Sequence, residues 1–319
     1  MSDKPTIRKL AAELSLSRST VHRALSGHPN VCPETRRKVF RAAQKKGYVR
    51  REHEKRNIAV IVSTFDFTGY LESFLHCLET EFHRRGFRLL LISQKDIDML
   101  GDHMFDGIVS LVWTPGLEKL LPKKFAFPII MLNAASNTLE NIPRIGNDPR
   151  GVRLALDYLH DRGCRKIFFI SPDTADNPDA ADRLAEFRRF CEETGQNFKN
   201  LHMELDWSEF GGRIQEILKP GPDACFCASE TFAVELGRQF KAAGIRIPED
   251  ISLMGLEFMH ANACFSPPIT AIRQNFERMS EIAAESIYQA VVNGIPPRGA
   301  KIPFQLIERE SVRTNRRPS

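Results

Sequence analysis

The chain has 319 residues and a mass of 36.3 kDa, enough for two or three folded units and too long for a lone binding module. Apolar residues make up 42% and charged residues 27%, with 22 Phe, a balance that excludes a disordered chain, a collagen and a coiled coil. The net charge of +5 is unevenly spread: residues 1–57 hold fifteen Lys and Arg against five Asp and Glu, and residues 58–319 hold thirty against thirty-five. A charge of +10 at one end and −5 elsewhere directs the amino-terminal segment at a polyanion such as nucleic acid.

The first 48 residues predict three short helices. Residues 6–14 place Ile7, Leu10, Ala11 and Leu14 on one face, with Thr6 as a cap. After a tight turn at Ser15 and Leu16, Ser17 caps a second helix over 18–25. Its Val21, Ala24 and Leu25 face inward, which turns Arg18, Ser19, His22 and Arg23 outward. Pro33 opens a third helix that runs to Lys46 and closes at Gly47. Residues 49–57 are charged, lack apolar periodicity and read as a linker.

From Ile58 the pattern changes. Short apolar runs at 58–62, 89–92, 108–112 and 129–132 alternate with amphipathic stretches such as 70–85, the rhythm of βαβ units and a parallel sheet. The rhythm resumes after Asp148: helices at 151–162, 182–194 and 231–243, strands at 166–170, 224–228 and 251–255, a long helix at 276–293 and a last strand at 302–307. Four or more strands on each side of about Gly146 predict two similar lobes within residues 58–319. The fold class expected is a helix-turn-helix headpiece followed by a two-lobed α/β domain of parallel sheets flanked by helices. Ligands of such sheets sit at the carboxyl ends of the strands.

Helix, tight turn, helix in a basic unit is the order that lays a second helix in the major groove. Arg18 and Arg23 can reach guanine edges in bidentate fashion, Ser19 and His22 can make single hydrogen bonds, and Arg36, Arg37, Lys38 and Arg41 can hold phosphates. Thr6, Ser17 and Thr20 complete the candidate DNA-facing set. A helical module with a solvated basic face is the competing reading, and the charge disfavours it.

The run TIRKLAAELSLSRSTVHRAL over 6–25, followed by Val31, Thr35, Arg36, Val39, Gly47 and Tyr48, resembles the DNA-binding headpiece of the LacI/GalR family of bacterial repressors. The resemblance continues through DPRG at 148–151, residues 159–163, Arg183, GIRIPEDIS at 244–252, Gly255 and PPIT at 267–270. It implies a cytoplasmic homodimeric regulator with a periplasmic-binding-protein-like domain, usually a repressor of a palindromic operator whose affinity is set by a small molecule, often a sugar. Members usually carry a hinge helix with a Leu that wedges into the minor groove. Here nine residues separate Tyr48 from Ile58 and none is Leu, Ala or Pro, so weaker DNA bending is expected.

The resemblance also implies that Asp148, Arg183, Trp207 and Glu257 contact the effector, Trp207 by stacking on a sugar ring. Ser229 and Glu230 replace the family's frequent Asn-Asp pair, and Glu257 stands where Asp is frequent. Each added methylene moves a carboxylate by about one bond length, which points away from the family's commonest ligands. Phe65, Phe67 and Tyr70 offer an aromatic wall. Core packing competes for these aromatic residues. Residues 94–106 are short for a member, which predicts a helix trimmed from the first lobe.

Other classes fare worse. There is no Gly-rich phosphate loop after Val62, no Gly-x-Ser-x-Gly elbow, and the nine His are dispersed, so no catalytic residue, cofactor or metal ligand is assigned. The seven Cys lack Cys-x-x-Cys spacing and read as reduced core residues. No run approaches the roughly 18 apolar residues of a membrane span, and the amino terminus lacks an apolar export signal. An exported sugar receptor is therefore disfavoured. A DNA-binding regulator governed by a protein partner, or by nothing, stays open.

Overall fold

The computed structural model describes residues 5–26, 28, 30–48, 56–63, 69–101, 105–111, 127–132, 142–148, 150–175, 178–206, 210, 212–257 and 261–314. It opens with helices α1 (Ile7–Leu14), α2 (Arg18–Leu25) and α3 (Pro33–Lys45), close to the bounds expected from periodicity. Leu10, Ala11, Val21, Ala24, Leu25, Val31, Val39, Phe40 and Ala43 form a small core of their own. The turn after α1 depends on Ser15 at φ 53°, ψ 39°, a left-handed conformation that lets its N–H close on the last carbonyls of the helix.

The chain then builds β1 (Arg56–Val62), α4 (Tyr70–Arg84), β2 (Phe87–Ser93), a 3₁₀ segment (Gln94–Gly101), β3 (Gly107–Ser110), β4 (Ile129–Leu132) and β5 (Arg144–Asn147). A second series follows: α5 (Gly151–Asp161), β6 (Ile167–Pro172), α6 (Pro178–Thr194), β7 (His202–Leu205), α7 (Ile214–Leu218), β8 (Ala224–Cys227), α8 (Glu230–Ala242), β9 (Ser252–Glu257), α9 (Ala261–Cys264) and β10 (Thr270–Arg273). It closes with α10 (Phe276–Asn293), β11 (Ala300–Ile302) and β12 (Gln305–Ile307). Gly47, Gly163 and Gly244, expected to end helices, all have positive φ.

Two six-stranded sheets result, ordered β11-β5-β4-β3-β1-β2 and β12-β10-β9-β8-β6-β7. The five strands of each series, β1 to β5 and β6 to β10, follow the same order, so each series is wound alike. Pairings such as β1 with β2 and β3, or β8 with β6 and β9, are parallel, while β12 runs antiparallel to β10. Parallel strands covered on both faces must be apolar throughout, and β3, β8 and β9 are buried at every position.

The chain divides into two compact units. The first holds residues 1–67, 74–146 and 277–300, and the second holds 68–73, 147–276 and 301–319. The expected division near Gly146 is therefore crossed again near the carboxyl terminus. Most of α10 belongs with the first unit, where Tyr288 meets Phe87 edge to face at 6.3 Å and Glu285 accepts from Arg85 Nε at 3.2 Å.

Three strands escaped the periodicity. β5, β7 and β10 have four residues each with polar members, and only pairing with β4, β6 and β9 makes them strands. The single strand expected at 302–307 is two strands in different sheets. Pro303 has no N–H to continue a ladder, and Phe304 leaves the strand line to pack on Gly151, where a Cβ would lie 1.8 Å from its ring. Where a trimmed helix was expected, the described residues show the 3₁₀ segment, with Leu100 buried beneath it.

Candidate DNA interface and effector site

In the headpiece, backbone capping decides what each small polar residue does. Thr6 Oγ1 accepts from Lys9 N at 3.3 Å, and Ser17 Oγ accepts from Thr20 N at 3.0 Å, satisfying donors that the helix cannot. Ser17 Oγ also lies 2.8 Å from both Ser19 Oγ and Thr20 Oγ1, which ties the first turn of α2 together.

With Val21, Ala24 and Leu25 buried, Arg18, Ser19, His22 and Arg23 stand exposed on the opposite side of α2. This is one continuous polar face carrying two guanidiniums and an imidazole, with planar donors suited to base edges. α3 adds Arg37, Lys38 and Arg41, all exposed. Arg36 is used differently. Its Nη2 donates to His28 O at 2.8 Å and to Val31 O at 3.4 Å, so it braces the loop between α2 and α3. Residues 49–55, the linker with no Leu, Ala or Pro, lie outside the described residues.

The second unit gathers several of the predicted effector residues at the carboxyl ends of its strands. Arg183, on α6, reaches the end of β8 and donates through Nη1 to Ala228 O at 3.4 Å. Next in the chain, Ser229 precedes α8 half-buried, its Oγ 2.9 Å from Thr231 Oγ1. Glu257 ends β9 and is 1% exposed, with its carboxylate 2.6 Å from Arg309 Nη1.

Asp148 is half-buried and follows β5, its oxygens bonded to the Arg150 guanidinium at 2.6 to 3.1 Å. Those hydrogen bonds hold its carboxyl below the usual carboxylate range. Phe65, Phe67 and Trp207 lie outside the described residues, and so does the side chain of Tyr70, which opens α4.

Three features of this edge carried no local sequence signal. Arg309 is far from Glu257 in the chain, Gln274 accepts from Asn147 Nδ2 at 2.7 Å across 127 residues, and buried Glu230 accepts from Ala261 N at 2.8 Å. Each contact is made by tertiary packing of segments distant in the chain. Among the described residues, no group of three or more His, Cys, Asp and Glu could hold a metal, and no helix is long and apolar enough to cross a membrane.

A family model described as a periplasmic binding protein-like domain matches residues 156–312. The HTH-type transcriptional repressor PurR of Mannheimia succiniciproducens is 25% identical over 336 residues, covering 97% of this chain and 98% of its own. PurR of Vibrio atlanticus is 26% identical over 332 residues, with 97% and 99% covered.

Among solved structures, a transcriptional regulator CelR–cellobiose complex superimposes with a TM-score of 0.70 at 24% identity, covering 96% of this chain and 99% of that one. A lac repressor dimer bound to operator and the anti-inducer ONPF gives 0.70 at 19% identity, covering 98% and 100%. The structural likenesses establish the fold, and the PurR matches extend over headpiece and both sheets alike. Along nearly its whole length the chain is similar to HTH-type transcriptional repressors named PurR, it shares the fold of the CelR and lac repressor structures, and residues 156–312 match the periplasmic binding protein-like domain.

Proposed function

We propose that the protein is a cytoplasmic, sequence-specific DNA-binding repressor. It acts as a homodimer on an inverted repeat, and its operator affinity is set by a small molecule held by the two-lobed domain. The observation that carries this reading is the outward face of α2: Arg18, Ser19, His22 and Arg23 exposed on a helix whose other side is sealed into the headpiece core. A dimer places two such helices about one helical turn apart, so a small shift between subunits changes affinity steeply.

Selection from random duplex DNA at near-physiological salt tests the reading, since counterion release weakens nonspecific phosphate contacts there. An inverted repeat should emerge. Arg23→Ala should then cost about 1–3 kcal/mol and relax preference at one base pair per half-site, while Lys38→Ala should weaken all sequences alike. A wild-type protein that recovers no inverted repeat would refute the reading.

One solved structure of similar fold is a regulator in complex with cellobiose, so a thermal-shift screen should hold sugars, with purines as a second ligand class. A DNA-binding regulator without a small effector is the second reading, and one observation favours it. The carboxylates of Asp148 and Glu257 are already engaged by Arg150 and Arg309, leaving fewer free acceptors for sugar hydroxyls. A screen with no stabilising compound would support that second reading.

A further inference from the structure

Gln44 is a polar residue that the amphipathic pattern of α3 turns inward, and it is 3% exposed. It lies beside the headpiece core, and its Nε2 donates at 3.1 Å to the carbonyl of Leu100, 56 residues away, at the end of the 3₁₀ segment of the first unit. Leu100 itself is fully buried in that unit's core, together with Ile61, Ile92 and Phe105. A buried side-chain amide spanning two cores is costly to leave unpaired, so the contact fixes one α3 face against one lobe segment.

The charges agree with this placement. Arg37, Arg41 and Gln44 are spaced by four and three residues and share a stripe of α3, while the 3₁₀ segment carries exposed Asp96 and Asp98.

We propose that Gln44 is a positioning residue that latches the headpiece to the first unit, so that this lobe places the headpiece by direct contact. This rests on the repressor reading above. A linker without an apolar wedge leaves few other means of holding two headpieces at operator spacing, and a latched headpiece loses less orientational freedom when both half-sites are engaged. The latch therefore matters for an inverted repeat and is indifferent to a single half-site.

The test uses the full chain as wild type, Gln44→Met, which keeps an unbranched stem and removes the donor, and Gln44→Ala. Hydrogen exchange without DNA should be about three- to tenfold faster across residues 94–101 in both variants, the loss expected for one buried neutral hydrogen bond. Unchanged exchange in Gln44→Met overturns the latch, whatever happens with DNA. On the selected inverted repeat, affinity should fall about three- to tenfold while half-site affinity stays the same. An equal loss on both DNAs overturns the positioning role and shows damage to the headpiece itself. If the wild type selects no repeat, the repressor reading fails, and the exchange result still decides whether the latch exists.

Discussion

The guanidinium of Arg309 lies 2.6 Å from the carboxylate of Glu257 at the carboxyl end of β9, and Glu257 is 1% exposed. Arg309 Nη1 also donates to Ile269 O at 2.6 Å, so one cation closes the start of β10 and the end of β9 together. Removing one partner of a buried pair leaves the other charge uncompensated, and the loss exceeds the worth of the pair. Arg309→Met should therefore destabilise the protein by about 3 kcal/mol in urea unfolding. Adding Glu257→Gln to that variant should recover much of the loss. A double variant no more stable than Arg309→Met would show that the bond to Ile269, and not the charge, is what matters.

Ser15 occupies the left-handed region at φ 53°. A side chain there costs roughly 1 kcal/mol that glycine avoids, partly offset by glycine's greater freedom when unfolded. Ser15→Gly should stabilise the headpiece by about 0.5 kcal/mol, read as a rise in its thermal midpoint. A fall would mean that the Ser15 side chain contributes more than its backbone costs.

Asp250 is exposed, yet its hydrogen bonds from Arg246 hold its carboxyl at about 2, against an ordinary value of 3.8. The main partners are Arg246 Nη2 at 2.6 Å and Nε at 3.0 Å. A depressed folded value means that the stabilisation is complete above pH 3.8 and is lost as the pH falls towards 2. Melting temperatures recorded from pH 5 to pH 2 should drop more steeply in wild type than in Asp250→Asn. Parallel curves would place the acid sensitivity elsewhere.

The seven cysteines should separate by reactivity. Burial pushes the thiols of Cys225 and Cys227 well up and that of Cys191 to about 11, so little thiolate forms at pH 8. Cys32 is exposed, and its hydrogen bond with Thr35 at 3.0 Å lowers its thiol. Iodoacetamide followed by peptide mass mapping should modify Cys32 first, leaving Cys191, Cys225 and Cys227 unmodified until the protein is unfolded. Early modification of Cys225 would reveal opening of the second sheet.

Much of the architecture was legible because its causes are local. α2 follows from Ser17 as a cap and from Val21, Ala24 and Leu25 at helical spacing, so the outward set Arg18, Ser19, His22 and Arg23 could be named without coordinates. β3, β8 and β9 announced themselves because a strand covered on both faces must be apolar throughout. Arg36 marks where local reasoning stops. Sequence shows a cation on a basic helix, and only the folded loop supplies the carbonyls of His28 and Val31 that occupy it.

The sequence by itself determined the helices of the headpiece, the alternation of strand and helix, and the uneven charge, since each arises within a few residues of chain. Tertiary structure decided the strand character of β5, β7 and β10, the placement of α10 with the first unit, and the pairings of Glu257 with Arg309 and Gln44 with Leu100. Those depend on which distant segments become neighbours. Strand order sets that, and no local periodicity encodes it.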